Sequence, residues 1–295
     1  MTIHPSPIYV RVNKTKRRYV LAQPKLPFDL SLSADLRATL RSAELAIQNL
    51  PESNWSVVMH SVTKHDDREL AGEAVVPCIA ALRHRLGDIS VARLSRKTSG
   101  IPWRSEIERI VLNERYQHLA LAISAGRSDD FIRELQAVSA AVRNLSAAAL
   151  RDAGVCLAGD IQGWSWQFPP SSGIEGCLST LHEFLHLHGT QNALVRATLA
   201  YGVINWMHPF ADGNGRTSRI IFNAVLRLAG MPSGHYIPIK EINHLAHGGH
   251  EVRLRYTVAT GEWEELLEYF VNAIRVYEVL LQREVLPNKS AGYET

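Results

Sequence analysis

The residues best suited to chemistry lie in one run, Met207-His208-Pro209-Phe210-Ala211-Asp212-Gly213-Asn214-Gly215-Arg216-Thr217-Ser218-Arg219. His208 is the nearby group whose charge changes around neutral pH, so it can serve as a general base. Pro209 cannot continue a helix, which places His208 at a helix end. Asp212-Gly213-Asn214-Gly215 reads as a tight turn whose glycines admit positive φ. Successive N–H groups in such a turn can converge on an anion. The turn runs into a helix N-terminus, where unpaired amides and the macrodipole favour an anion as well. Arg216 and Arg219, three apart, share one helical face, and guanidinium suits bidentate contact with phosphate. Asp212 stands at the mouth of this cradle, a natural place for a Mg²⁺ ligand shared with phosphate oxygens. Taken singly, each feature is more often structural: a solvated turn or a packed histidine. Their coincidence in one short run favours a base-bearing phosphate site.

The elements that must hold this run are mostly helical. Residues 7–22 read as a β-hairpin around the polar turn Asn13-Lys14-Thr15-Lys16, whose basic residues are read as a solvated tip rather than a nucleic-acid contact. Helical periodicity covers Ser33–Asn49, with Leu32, Leu36, Leu40 and Ile47 at helical spacing, and residues 68–86, where Pro77 should break or kink the pattern. Arg104–Ala125 and Asp129–Asp152 read as two further helices. Residues 154–168, rich in glycine and aromatics, read as a short strand pair or loop. Pro169-Pro170 ends it, and Ser172 with Glu175 forms a capping box that opens a helix over Leu178, Leu181 and Leu185. Helices follow at about 191–207, 216–228 and 262–283. No internal repeat stands out.

Composition narrows the class. The 295 residues are 46% hydrophobic and 21% charged, ordinary for a globular protein. A net charge of +3 does not by itself point to nucleic acid or to an anionic membrane. The three cysteines Cys78, Cys156 and Cys177 contain no CxxC, which argues against a disulfide framework or a cysteine zinc site. No signal peptide or transmembrane span is expected, so the expected compartment is the cytoplasm, with a secreted effector as the alternative. His182-Glu183-Phe184-Leu185-His186 spells HExxH, a zinc-hydrolase pattern, but without a third ligand at a metzincin-like spacing it reads as a packing helix. His244, His247 and His250 read as surface residues.

The run His208–Arg219 resembles the signature of the Fic family, HPFx(D/E)GNGRxxR, at every specified position. A looser likeness extends from about 105 to 280, including the helices before and after the loop and the segment TGEWEELLEYF. The resemblance implies an all-α fold, mainly helical, with a small β-hairpin flap at 154–168, to which the N-terminal β-hairpin is added. It implies an N-terminal helical region over 1–104, a Fic domain over 105–285 and a polar tail over 286–295. It implies a bacterial-type protein adenylyltransferase in which His208 deprotonates the target hydroxyl and Phe210 anchors the loop. Asp212 would hold Mg²⁺. Gly213, Asn214 and Gly215 would cradle the phosphates of ATP, Arg216 would bind the β/γ end, and Arg219 the γ-phosphate. The implied partner is a target protein presenting a Ser, Thr or Tyr hydroxyl, with an antitoxin or regulatory partner as a further candidate and no nucleic-acid or membrane partner. Oligomeric state is not indicated. Transfer of UMP, GMP or phosphocholine, or nucleotide binding with little turnover, stand as alternatives.

Many members of the family are restrained by a glutamate, in the pattern (S/T)xxxE(G/N), that pairs with the second motif arginine, here Arg219. Ser171–Gly176 fits the letters, with Glu175 as the glutamate, but lies between flap and motif. Residues 73–82 resemble the helix that carries the pattern and place Ala81 at the glutamate position. Ser290–Thr295 offers Glu294, and Arg104–Arg109 is a weaker echo. The expectation is that no clear inhibitory glutamate stands in cis.

Overall fold

The computed structural model describes residues 8–11, 17–20, 32–50, 75–83, 104–156, 164–187, 189, 191–246 and 248–285. Ten helices dominate these residues: α1 (Ala34–Gln48), α2 (Val75–Arg83), α3 (Arg104–Ser124), α4 (Ser128–Ala141), α5 (Ile174–Leu187), α6 (Ala193–Met207), α7 (Asn214–Leu228), α8 (Ile239–Leu245), α9 (Gly249–Thr260) and α10 (Glu264–Val285). α6 is the centre. Nearly every residue from Ala193 to Met207 is buried, as expected of a helix that is apolar all round and enclosed by others. It packs on α7, α10, α5 and α1, while α3 lies across α7. At Gly202, α6 lies against Trp263 and Leu266. A Cβ there would stand 2.7 Å from Trp263 Cζ3, so a side chain at this position would push the two apart.

Local chemistry sets several boundaries. Ser33 caps α1, its Oγ accepting from Leu36 N–H at 3.2 Å. Pro77 sits in the first turn of α2, where its missing N–H does no harm, so the helix is not broken there. The long helix expected to reach Asp152 stops at Ala141. Asn144 is left-handed at φ 54°, and Leu145 N–H turns back to Ala140 O at 2.9 Å. A 3₁₀ turn, Ser171–Gly173, leads into α5, whose first turn carries an exposed Glu175.

Three short strands form one sheet in the order β1-β2-β3. β1 (Ile8–Arg11) runs antiparallel to β2 (Arg17–Val20), with Ile8 opposite Val20. The flap expected over 154–168 is not a hairpin of its own among the described residues. It contributes one strand, β3 (Trp164–Gln167), whose ladder partner is β2 in parallel register. The two ends of the flap segment still meet, through a Cys156–Gln167 bridge and a Phe168 N–H to Val155 O bond of 3.0 Å. Most of the remaining flap, and Glu294, lie outside the described residues. No described helix is long and apolar enough to cross a membrane.

Candidate active site

His208 caps α6 in a left-handed conformation, φ 49° and ψ 57°, with its N–H on Ile204 O at 3.0 Å. This region disfavours a side chain by roughly 1–2 kcal/mol, and such residues persist where the surroundings hold them. Its Nδ1 is 3.3 Å from Asn205 O. A carbonyl can only accept, so Nδ1 carries the proton and Nε2 keeps its lone pair. The Phe168 ring, at the end of the flap segment, stacks on the imidazole at 4.0 Å between centroids and 13° between planes. Burial pushes the imidazole below its ordinary pKa, and the Arg151 charge adds to this. The Asn205 carbonyl and Asp212 act the other way. Burial and Arg151 thus favour the neutral imidazole, the form a base requires.

The loop is closed from within. Phe210 is fully buried. Asn214 uses both ends of its amide on one residue: Oδ1 accepts from Phe210 N–H at 2.9 Å and Nδ2 donates to Phe210 O at 2.8 Å. Its side chain thus shapes the loop, and only the backbone N–H of residue 214 is left to meet an anion. Gly213 is left-handed at φ 85° immediately before α7, and a Cβ there would stand 3.1 Å from Arg143 Cδ. α7 begins at Asn214, slightly earlier than the sequence suggests, so the glycines lie at the mouth of its N-terminus. Arg216 donates to Val142 O at 2.6 Å and to Asp212 Oδ2 at 3.1 Å. Arg143 approaches the same Asp212 oxygen at 4.0 Å.

Arg219 lies in different surroundings. Its Nε and Nη2 grip the Glu108 carboxylate, which is wholly buried on α3. Tyr236 adds an O–H donor to Glu108 Oε2 at 2.8 Å. Burial and the Glu108 charge both push the Tyr236 phenol well up, so it stays protonated and donating. Burial pulls the Arg219 guanidinium down, but Glu108 more than offsets this and the net shift is upward. No clear inhibitory glutamate is expected in cis from the sequence, yet a carboxylate does face Arg219: that of Glu108, in the weakest of the candidate segments. The carboxylate reaches Arg219 from α3, while α2, which carries Ala81, packs instead on α9 and α10. The signal in the sequence was a charged residue on the buried stripe that continues through Val111, Leu112 and Leu119.

His208 and Arg219 open onto one cleft of about 240 Å³, lined also by Phe168, Trp206, Lys240 and His250. His250 is not the surface residue expected. It is 5% exposed, and neither ring nitrogen has a hydrogen-bond partner. Burial pushes its pKa down to about 4. Trp206 Nε1 is likewise buried without a partner. Unmet polar groups of this kind suit a ligand better than a closed core. The HExxH residues lie elsewhere. His182 is buried, with Nε2 on Ala122 O at 3.0 Å, and no cluster able to hold a metal is found among the described residues.

The molecule is thus a helical protein that presents a left-handed histidine, a glycine turn and two arginines between its two central helices. Residues 128–226, about a third of the chain, match the sequence model of the Fic/DOC family. Two relatives named protein adenylyltransferase Fic share short stretches. The one from Nematostella vectensis is 50% identical over 36 residues, 12% of this chain and 8% of its own length. The one from Culex quinquefasciatus is 41% identical over 61 residues, 21% of this chain and 11% of its own. The matched stretches are thus about a tenth of those relatives' length. A Fic family protein from Desulfovibrio desulfuricans G20 has a similar fold, with a TM-score of 0.53 at 17% identity over 92% of this chain and 80% of that one.

Proposed function

We propose that the chain is a protein adenylyltransferase that moves AMP from ATP to a Ser, Thr or Tyr hydroxyl of a target protein. The observation that carries this reading is His208, its Nδ1 on the Asn205 carbonyl and its Nε2 lone pair thereby left for a proton, at the edge of a cleft that Arg219 also lines. His208 takes the proton of the target hydroxyl, whose oxygen attacks the α-phosphorus as pyrophosphate leaves. The amides at Gly213, Asn214 and Gly215 and the two arginines neutralise the phosphate charge, which with positioning is the main demand of such a transfer. A Mg²⁺ ion fits Asp212: its side chain is 70% exposed, and Mg²⁺ commonly takes one carboxylate, with phosphates and waters completing its shell. Both arginine contacts of Asp212 use Oδ2, which leaves Oδ1 as the oxygen for the cation. When bound, the ion would draw charge off the phosphates. The cleft toward His250 and Trp206 takes the nucleoside, the 105–285 unit is the transferase, and the flap segment presents the target, all in the cytoplasm.

The same reading gives Glu108 the restraining role sought in the sequence. Its carboxylate stands on the guanidinium meant for the γ-phosphate, so productive ATP binding requires Arg219 to exchange one anion for another. Incubation with lysate and ATP, UTP or GTP labelled at the α-phosphorus tests the transfer. Label should enter protein from ATP, and His208→Ala should lower it by roughly 10²–10⁴-fold. Label that survives His208→Ala removes the base from the mechanism. Label from UTP or GTP alone changes the donor, and nucleotide binding without transfer makes the chain an interaction protein.

A further inference from the structure

Arg151 lies far from the loop in sequence, yet it meets three successive residues at the end of α6. Its backbone N–H donates to Pro209 O at 2.8 Å. Its guanidinium donates to His208 O at 2.7 Å and to Met207 O at 3.0 Å. The same group donates to Ala153 O at 2.8 Å and to Pro169 O. Ala153 and Pro169 bracket the flap segment. One buried, planar cation therefore gathers four carbonyls, two from the flap's base and two from the left-handed turn that carries the imidazole. Phe168, beside Pro169, stacks on that imidazole. A rigid fork with donors in fixed directions can hold such a set, and a flexible ammonium cannot.

We infer that Arg151 is a positioning residue that fixes the His208 imidazole against the flap segment and so aligns the base with the target hydroxyl. The inference rests on the reading of His208 as base. Arg151 also acts through its charge, which lowers the His208 pKa together with burial, against the Asn205 carbonyl and Asp212. The other charged groups on the cleft, Arg219, Lys240, Glu251 and Arg255, are unchanged by a substitution at 151.

Two variants separate fork from charge. Arg151→Met removes both, and Arg151→Lys keeps the charge. The full-length proteins are compared by NMR titration of His208, amide exchange at Phe168, thermal unfolding and, where wild type transfers, kcat and KM for ATP. In Arg151→Met the His208 titration should move to higher pH, Phe168 exchange should speed up, and kcat should fall ~100-fold, the scale of an ångström-level misplacement. In Arg151→Lys the titration should stay near wild type while kcat falls ~10-fold, with KM for ATP little changed in both. A His208 titration and Phe168 exchange that match wild type in a folded Arg151→Met overturn the inference, as does transfer within about twofold of wild type. A wild type that transfers nothing would defeat the proposed function instead, while titration and exchange would still decide the role of Arg151.

Discussion

The two arginines of the loop are three residues apart and live in opposite environments. The Arg216 side chain is 28% exposed and pairs with an Asp212 that is 70% exposed, whereas Arg219 and Glu108 are 9% and 0% exposed. An exposed pair contributes about 0–1 kcal/mol and is screened by salt. A buried pair adds little net stability, yet removing one partner costs about 3–5 kcal/mol because the other charge is stranded. One turn of helix thus carries a cation that a phosphate can recruit easily and another that is already committed to a carboxylate. In the proposed function, control resides at Arg219, not at the turn's solvent side.

The largest effect should come from the buried end. Arg219→Ala should lower stability by about 3–5 kcal/mol in urea unfolding, since it leaves the buried Glu108 charge without its cation. A loss under 1 kcal/mol would erase the contrast. His250, on the same side of the cleft, gives a related effect through pH. Its folded pKa of about 4 lies below the ordinary 6.5, so the unfolded chain binds more protons between these values. Stability attributable to this group is complete above pH 6.5 and is lost as pH falls toward 4, by on the order of 3 kcal/mol. His250→Phe should flatten that slope in unfolding measured across the range, and an unchanged slope would contradict it. The smallest effect belongs to the exposed end. Arg216→Ala should change stability by less than about 1 kcal/mol, with the difference shrinking in high salt, while reducing ATP binding. Salt-independent destabilisation above that size would mean that the Val142 contact, not the ion pair, dominates Arg216.

The loop was legible in the sequence because its shape is local: proline ends a helix, glycines permit the turn, and the arginines follow at helical spacing. Its partners were not. Glu108, Arg151 and Tyr236 reach the loop through tertiary packing that no nearby spacing encodes, although Glu108 betrayed itself by its place on an apolar stripe. Asn214 shows a finer limit. Its type suits a phosphate, but its amide is occupied by the Phe210 backbone. The alanine-rich run after Val142 has helical propensity, and a left-handed Asn144 overrides it. The flap's composition suggested paired strands, but pairing depends on which chain lies alongside, and that neighbour is β2. The short helix α8 leaves little periodic signal because the apolar spacing over 239–245 is brief.

In the proposed function, a His208-dependent transferase is held back by Glu108 on Arg219. Transfer from α-labelled ATP should be compared in wild type, Glu108→Gln and the double variant Glu108→Gln/His208→Ala. Glu108→Gln should be less stable yet transfer at least ~10-fold more label, the equivalent of ~1.4 kcal/mol released at Arg219, and the double variant should be silent. Equal labelling in wild type and Glu108→Gln, or label that persists without His208, would contradict it.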